Sequence, residues 1–185
     1  EDLYELEPDA ALGNGGLGLL AACFMDALAS GDYPAMGYSL RYEYGLFKQK
    51  IVDGWQTELP DTWLPGGEVW LTQRADKSFT VRFNGQIEEK WTANGLEIAY
   101  KDCKEIKAVA YDMMISGKDS DAVSVLRLWK AKPMQDFNMK LFSQGEYYQA
   151  MTADNDADVL TKVLYPADDH LQGKSLRLKQ QYFLC

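Results

Sequence analysis

Apolar positions change their spacing twice along this chain. From Leu17 to Ala29 the residues are good helix formers and nearly all apolar, a pattern that predicts a helix buried on most sides. Ser30, Gly31 and Asp32 stop it, and Pro34 excludes its continuation. Large and polar residues then alternate from Met36 to Tyr44, the two-residue period of a strand. Phe47 to Val52 and Trp55 to Leu59 flank Asp53-Gly54, a dipeptide that accepts the positive φ angles of a type I′ turn, so these runs form a hairpin. Residues 60 to 67 read as a loop. Short strand patterns with Asn-Gly turns at Asn84-Gly85 and Asn94-Gly95 continue to about Ile115, and Ala122 to Trp129 adds one more strand. Helical spacing returns after Pro133, over Phe137 to Met151, Asp156 to Leu164 and Gly173 to the end. This order predicts an α/β fold class, a layer carrying an antiparallel β-rich insertion and C-terminal helices. Residues 1-35 hold a glycine loop and the buried helix, 36-130 are mainly β, and 134-185 are helical with a loop over 165-173.

Composition narrows the class. With 46% hydrophobic and 25% charged residues among 185, the chain has the balance of a folded globular domain, not of a disordered or collagenous one. The longest apolar stretch, Leu17 to Ala29, is interrupted by Gly18 and Asp26 and falls short of the ~20 residues a bilayer span needs. Twenty-eight acidic against 19 basic residues leave a formal charge of −9, which argues against nucleic acid as a partner. The basic residues Lys174, Arg177 and Lys179 have the spacing of a solvated helix face. Three cysteines, Cys23, Cys103 and Cys185, are odd in number and far apart, as reduced thiols in a cytoplasmic protein would be. One histidine, His170, with only Asp168 and Asp169 close by, makes no metal site. Position 1 is Glu and a helical pattern runs into Cys185, so the chain reads as cut at both ends.

Two segments could carry chemistry. Gly13-Asn-Gly-Gly-Leu-Gly18 has the spacing Gly-x-Gly-x-x-Gly and leads straight into a helix. Unpaired N–H groups at a helix start, at the positive end of its dipole, bind anions, and glycines let the anion approach. The alternative is a tight turn packed under the helix. A dinucleotide is disfavoured, because Leu3 to Leu12 contains no β-branched residue and has Pro8 in its middle, although Asp32 lies at a suitable distance. The second segment, Val163 to Gly173, gathers Tyr165, Asp168, Asp169 and His170 between two helices. It reads either as a substrate-positioning loop or as a capping segment in which the two aspartates serve the next helix. Adjacent aspartates without a second acid across a cleft do not make a glycoside hydrolase. The tryptophans at 55, 63, 70, 91 and 129 could stack on sugar rings, but core packing is the simpler account.

Several blocks, in order, resemble the N-terminal part of the glycogen and maltodextrin phosphorylases, the pyridoxal-phosphate-dependent α-glucan phosphorylases. They are Asp9 to Asp26, Gly37 to Gln49, Gly54-Trp-Gln56, Leu126-Arg-Leu-Trp129, Asp136-Phe-Asn138, Leu160 to Pro166 and Gly173 to Phe183. The resemblance is weakest between about Leu71 and Ser120. It implies part of the N-terminal domain of a two-domain GT-B type glycosyltransferase, which moves a terminal glucosyl unit of an α-1,4-glucan onto inorganic phosphate to give glucose 1-phosphate. It places Asn14, Gly15, Gly16 and Leu17 in the loop lining the catalytic site, with Gly15 and Gly16 indirectly near the cofactor phosphate. Asp168, Asp169 and His170 fall in a gate loop beside the glucose pocket. Asp169 and Ala167 stand where asparagines are common, His170 is similar to the maltodextrin enzymes, and Leu19 replaces a usual arginine. Phe142 to Tyr165, with Gly145, Glu146, Gln149 and Ala150, resembles the helix packed between subunits of a homodimer.

The same resemblance places the cofactor lysine and the basic residues for substrate phosphate in a C-terminal domain absent here, so Lys140 and Lys162 are not assigned that role. The chain by itself is then expected to bind no pyridoxal phosphate and to make no glucose 1-phosphate. A non-catalytic carbohydrate-binding domain is the alternative from another class, distinguished by retention on glycogen. A nucleotide-dependent oxidoreductase is a third, distinguished by thermal stabilisation with NAD.

Overall fold

The computed structural model describes residues 3, 6–64 and 67–185, so Pro65 and Gly66 of the expected 60–67 loop lie outside the described residues. The two longest strands, of 13 residues each, pair antiparallel at one side of the main sheet: β4 (Leu71–Phe83) and β7 (Lys104–Ser116). β7 also pairs antiparallel with β8 (Val123–Lys132), and β8 pairs in parallel with β1 (Met36–Leu40). The mixed sheet has the order β1-β8-β7-β4.

Alternation along β7 shows why it is buried on both faces. Ile106, Ala108 and Ala110 point to one side, where Leu40, Trp129, Leu160, Leu164 and Phe183 close a core. Val109 and Tyr111 point to the other, against Ala11, Trp63, Leu71 and Leu128. Full burial of Leu128 alone contributes roughly 1.5–3 kcal/mol. The first face is covered by α3 (Tyr147–Asp158), a 3-10 turn (Val159–Thr161) and α4 (Leu171–Leu184).

The Asp53-Gly54 hairpin forms as expected, with β2 (Lys48–Val52) paired to β3 (Trp55–Leu59) and φ of 50° and 82° at the two turn residues. The Asn-Gly pairs behave differently from each other. Asn94-Gly95 closes a hairpin of β5 (Gln86–Thr92) and β6 (Gly95–Lys101), with the positive φ, 115°, on Gly95 and not on Asn94. Asn84-Gly85 closes no hairpin. Asn84 and Asp102, both left-handed with φ of 55°, bend the chain out of β4 and back into β7, so β5 and β6 leave the sheet as a separate ribbon.

The first helix, α1 (Gly16–Ser30), is a correction. Only Met25 and Ala29 are buried, while Leu19 and Phe24 are exposed and Leu17 is 85% exposed. Helix and sheet meet along one line, where Met25 lies against Gly37 and the Ala29 carbonyl against Gly117, and the remaining apolar positions face away from it. The strand expected over Met36 to Tyr44 ends at Leu40. Beyond it the chain crosses to the C-terminal segment, where Glu43 and Tyr44 N–H groups donate to the Thr161 and Lys162 carbonyls at 3.0 and 2.9 Å. The helix expected over Phe137 to Met151, the first part of the intersubunit segment, is two: α2 (Met139–Ser143), capped by Asn138, and α3, parted at Gly145 with φ 86°. The helix expected to start at Asp156 is the continuation of α3 into the 3-10 turn. Core packing accounts for Trp63 and Trp129, whereas Trp55, Trp70 and Trp91 are exposed.

Candidate functional site

The glycine loop closes on itself through its outer glycines. A Cβ on Gly13 would stand 2.7 Å from the Gly18 Cα, and one on Gly18 2.8 Å from the Gly13 Cα, closer than any real contact. Gly15 and Gly16 differ, since a Cβ on either would meet nothing within 4 Å. Gly15 caps α1 without a side chain, no acidic residue occupies the first turn, and the Leu19 N–H donates to the Gly15 carbonyl at 3.1 Å. The N–H groups of Gly16, Leu17 and Gly18 therefore have no acceptor within the helix and sit at its positive end.

These groups border a cavity of about 430 Å³, which Ser39, Tyr42, Tyr165, Arg177 and Gln181 complete. The volume suits a sugar ring or a phosphate group. Burial pushes the Tyr42 hydroxyl above its ordinary pKa, so the phenol is protonated at neutral pH. Its backbone is held by the Trp63 indole N–H, which donates to the Tyr42 carbonyl at 3.0 Å. Arg177 corrects the solvated-face reading of Lys174, Arg177 and Lys179. Its guanidinium carbon lies 4.2 Å from the Tyr165 ring centroid and it lines the cavity, while Lys174 is exposed. Tyr42, Arg177 and Gln181 had no local signal in the sequence, because their shared cavity joins residues more than a hundred positions apart.

The structure brings Asn14 to Leu17 together with Tyr165, but not with Asp168, Asp169 and His170. Asp168 and Asp169 are exposed and line no part of this cavity. His170, not either aspartate, caps α4: its Nδ1 accepts the Gly173 N–H at 3.0 Å, which leaves its proton on Nε2, 4.0 Å from the Asp169 carboxylate. His170 borders a separate cavity of about 620 Å³ with Lys104, Asp156 and Leu176. Gly173 fixes this end of the loop, since a Cβ there would stand 1.8 Å from the Ala167 carbonyl oxygen. Gly173→Ala is expected to lower stability by about 2–3 kcal/mol. A thermal melt unchanged from wild type would count against that packing.

No lysine lines the glycine-loop cavity, so this cavity offers no amine for a Schiff base with pyridoxal phosphate. The N–H groups fit an anion or sugar oxygen. Among the described residues no helix is long and apolar enough to cross a membrane, and no three His, Cys, Asp or Glu residues are placed to hold a metal.

Sheet, glycine turn and cavity define the class, a mixed α/β domain with a bare helix N-terminus beside a cavity. The chain belongs to the carbohydrate phosphorylase family, whose model matches residues 1–185. It is 48% identical over 183 residues to glycogen phosphorylase 2 of Dictyostelium discoideum, covering 98% of this chain and 18% of that protein. Against the glycogen phosphorylase of Saccharomyces cerevisiae it is 46% identical over 189 residues, with 100% and 21% covered. Against the human liver form it is 45% identical over 184 residues, again with 100% and 21% covered. The chain thus spans about one-fifth of the length of these curated relatives.

Proposed function

We propose that this chain is part of the N-terminal domain of an α-glucan phosphorylase of two-domain GT-B type. The whole protein transfers a terminal glucosyl unit of an α-1,4-glucan to inorganic phosphate, giving glucose 1-phosphate. The observation that carries this reading is the closed glycine turn, whose unpaired N–H groups border a cavity of ligand size. Here the N–H groups of Gly16 and Leu17 donate to sugar or phosphate oxygens as charge develops. Asp168, Asp169 and His170 form the outer gate and reach substrate when the remaining domain closes on it. A lysine outside this chain would hold pyridoxal phosphate, which would supply proton transfer at the phosphate. The enzyme is cytoplasmic and a homodimer, with Phe142 to Tyr165 between subunits.

The full-length protein with an α-1,4-glucan and phosphate should release glucose 1-phosphate, while residues 1–185 alone should release none. Cofactor absorbance that stays with the isolated chain through dialysis would overturn the division of labour. Absence of glucose 1-phosphate from the full-length protein would overturn the activity itself.

A further inference from the structure

Arg177 is restrained from two sides. Gln180, fully buried, donates through Nε2 to the Leu160 carbonyl at 3.2 Å and to the Val163 carbonyl at 3.4 Å. With both amide hydrogens engaged, its Oε1 accepts from Arg177 NH1 at 3.4 Å. On its other side the guanidinium stacks on Tyr165 at 4.2 Å, within cation–π range. Tyr165 is itself placed by its backbone. The preceding residue, Leu164, donates its N–H to the Tyr44 carbonyl at 3.1 Å, and Tyr165 then turns left-handed, φ 52°, a conformation that costs a bulky residue energy and persists only where surroundings impose it. The segment from Tyr165 to Gly173 is thus tied at its far end by the His170 cap and the Gly173 contact, and at its near end by the ring on Arg177.

We infer that Arg177, oriented by Gln180 and stacked on Tyr165, is a positioning residue that sets the place of the 165–173 segment beside the glycine-loop cavity. Its consequence for turnover rests on the phosphorylase reading; the placement does not. Without the stack, Tyr165 relaxes from its left-handed conformation and the segment carrying Asp168 and Asp169 moves away from the cavity.

The test uses the full-length protein and an endoproteinase that cleaves before aspartate, with cleavage at Asp168 and Asp169 followed by mass spectrometry under native conditions. Arg177→Met and Tyr165→Leu should each speed that cleavage roughly three- to tenfold, the scale of one lost cation–π contact. The double variant should be no faster than either single one, and Tyr165→Phe, which keeps the ring, should behave as wild type. In phosphorolysis assays Arg177→Met should raise KM for the glucan by a similar factor with little change in kcat, a split that a loss of stability alone does not produce. Unchanged cleavage in both single variants, or effects that multiply in the double variant, would overturn the inference. A wild-type protein without phosphorolysis would sink the proposed function while the cleavage comparison still decides the placement.

Discussion

Asp112→Ala should lower the free energy of unfolding by about 3–5 kcal/mol, the scale of breaking a buried ion pair by removing one partner. The Asp112 side chain is 2% exposed and accepts two hydrogen bonds from Arg127, Nε to Oδ1 at 2.7 Å and NH2 to Oδ2 at 2.8 Å. Arg74 adds a third, weaker contact at 3.3 Å. The three residues come from β7, β8 and β4, so one carboxylate joins three of the four strands of the sheet. Removing it leaves the largely buried Arg127 guanidinium without an acceptor inside the protein, and denaturant titration should show the loss as a lower midpoint.

The same group makes stability depend on acid. Hydrogen bonds from Arg127, joined by the charges of Arg127 and Arg74, hold the Asp112 carboxyl below its ordinary pKa despite the opposing effect of burial. A carboxylate depressed in the folded state binds its proton more readily when unfolded. Its contribution is therefore complete above the unfolded value of about 4 and is lost as pH falls through the lower folded value. Asp112→Asn should flatten the stability profile below about pH 4 and leave its slope near neutrality unchanged. An acid limb identical to wild type would show that this carboxylate is not the group responsible.

Gly18→Ala should damage the glycine loop directly. Its Cβ would meet the Gly13 backbone at 2.8 Å, and backbone cannot give way as a flexible side chain does. We expect a loss of about 1–3 kcal/mol in stability. On the phosphorylase reading, turnover by the full-length protein should fall about a hundredfold, because reopening the turn displaces the N–H donors by about an ångström. Gly16→Ala makes the contrast. Its methyl meets no protein atom within 4 Å and replaces a poor helix former in α1, so stability should hold or rise by up to about 1 kcal/mol. If Gly18→Ala melted and turned over like wild type, the close approach of the two glycines would not be what shapes the loop.

Turn chemistry was legible residue by residue. Asp53-Gly54 names its hairpin because two residues must take positive φ there and these two do so at low cost. Asn84 shows the limit: its left-handed backbone was foreseeable, but a bend of that kind closes a hairpin only if the next strand turns back on the last, and here β7 returns instead. Apolar content misled for α1. Leucine and phenylalanine gain from burial wherever a partner surface exists, but their sequence does not say whether the helix touches the sheet on one line or many. Here the line runs through Met25 and Ala29.

The candidate site divides in the same way. The glycine spacing by itself determined a closed turn with a bare helix start, since geometry over six residues is set by local sterics. That Tyr42, Tyr165 and Arg177 join it, and that Asp168, Asp169 and His170 stay outside its cavity, was decided only by tertiary structure. The physical reason is that the crossing at Tyr44, the Gln180 hydrogen bonds and the His170 cap act between separate elements, and their geometry exists only once the sheet and the C-terminal helices have packed.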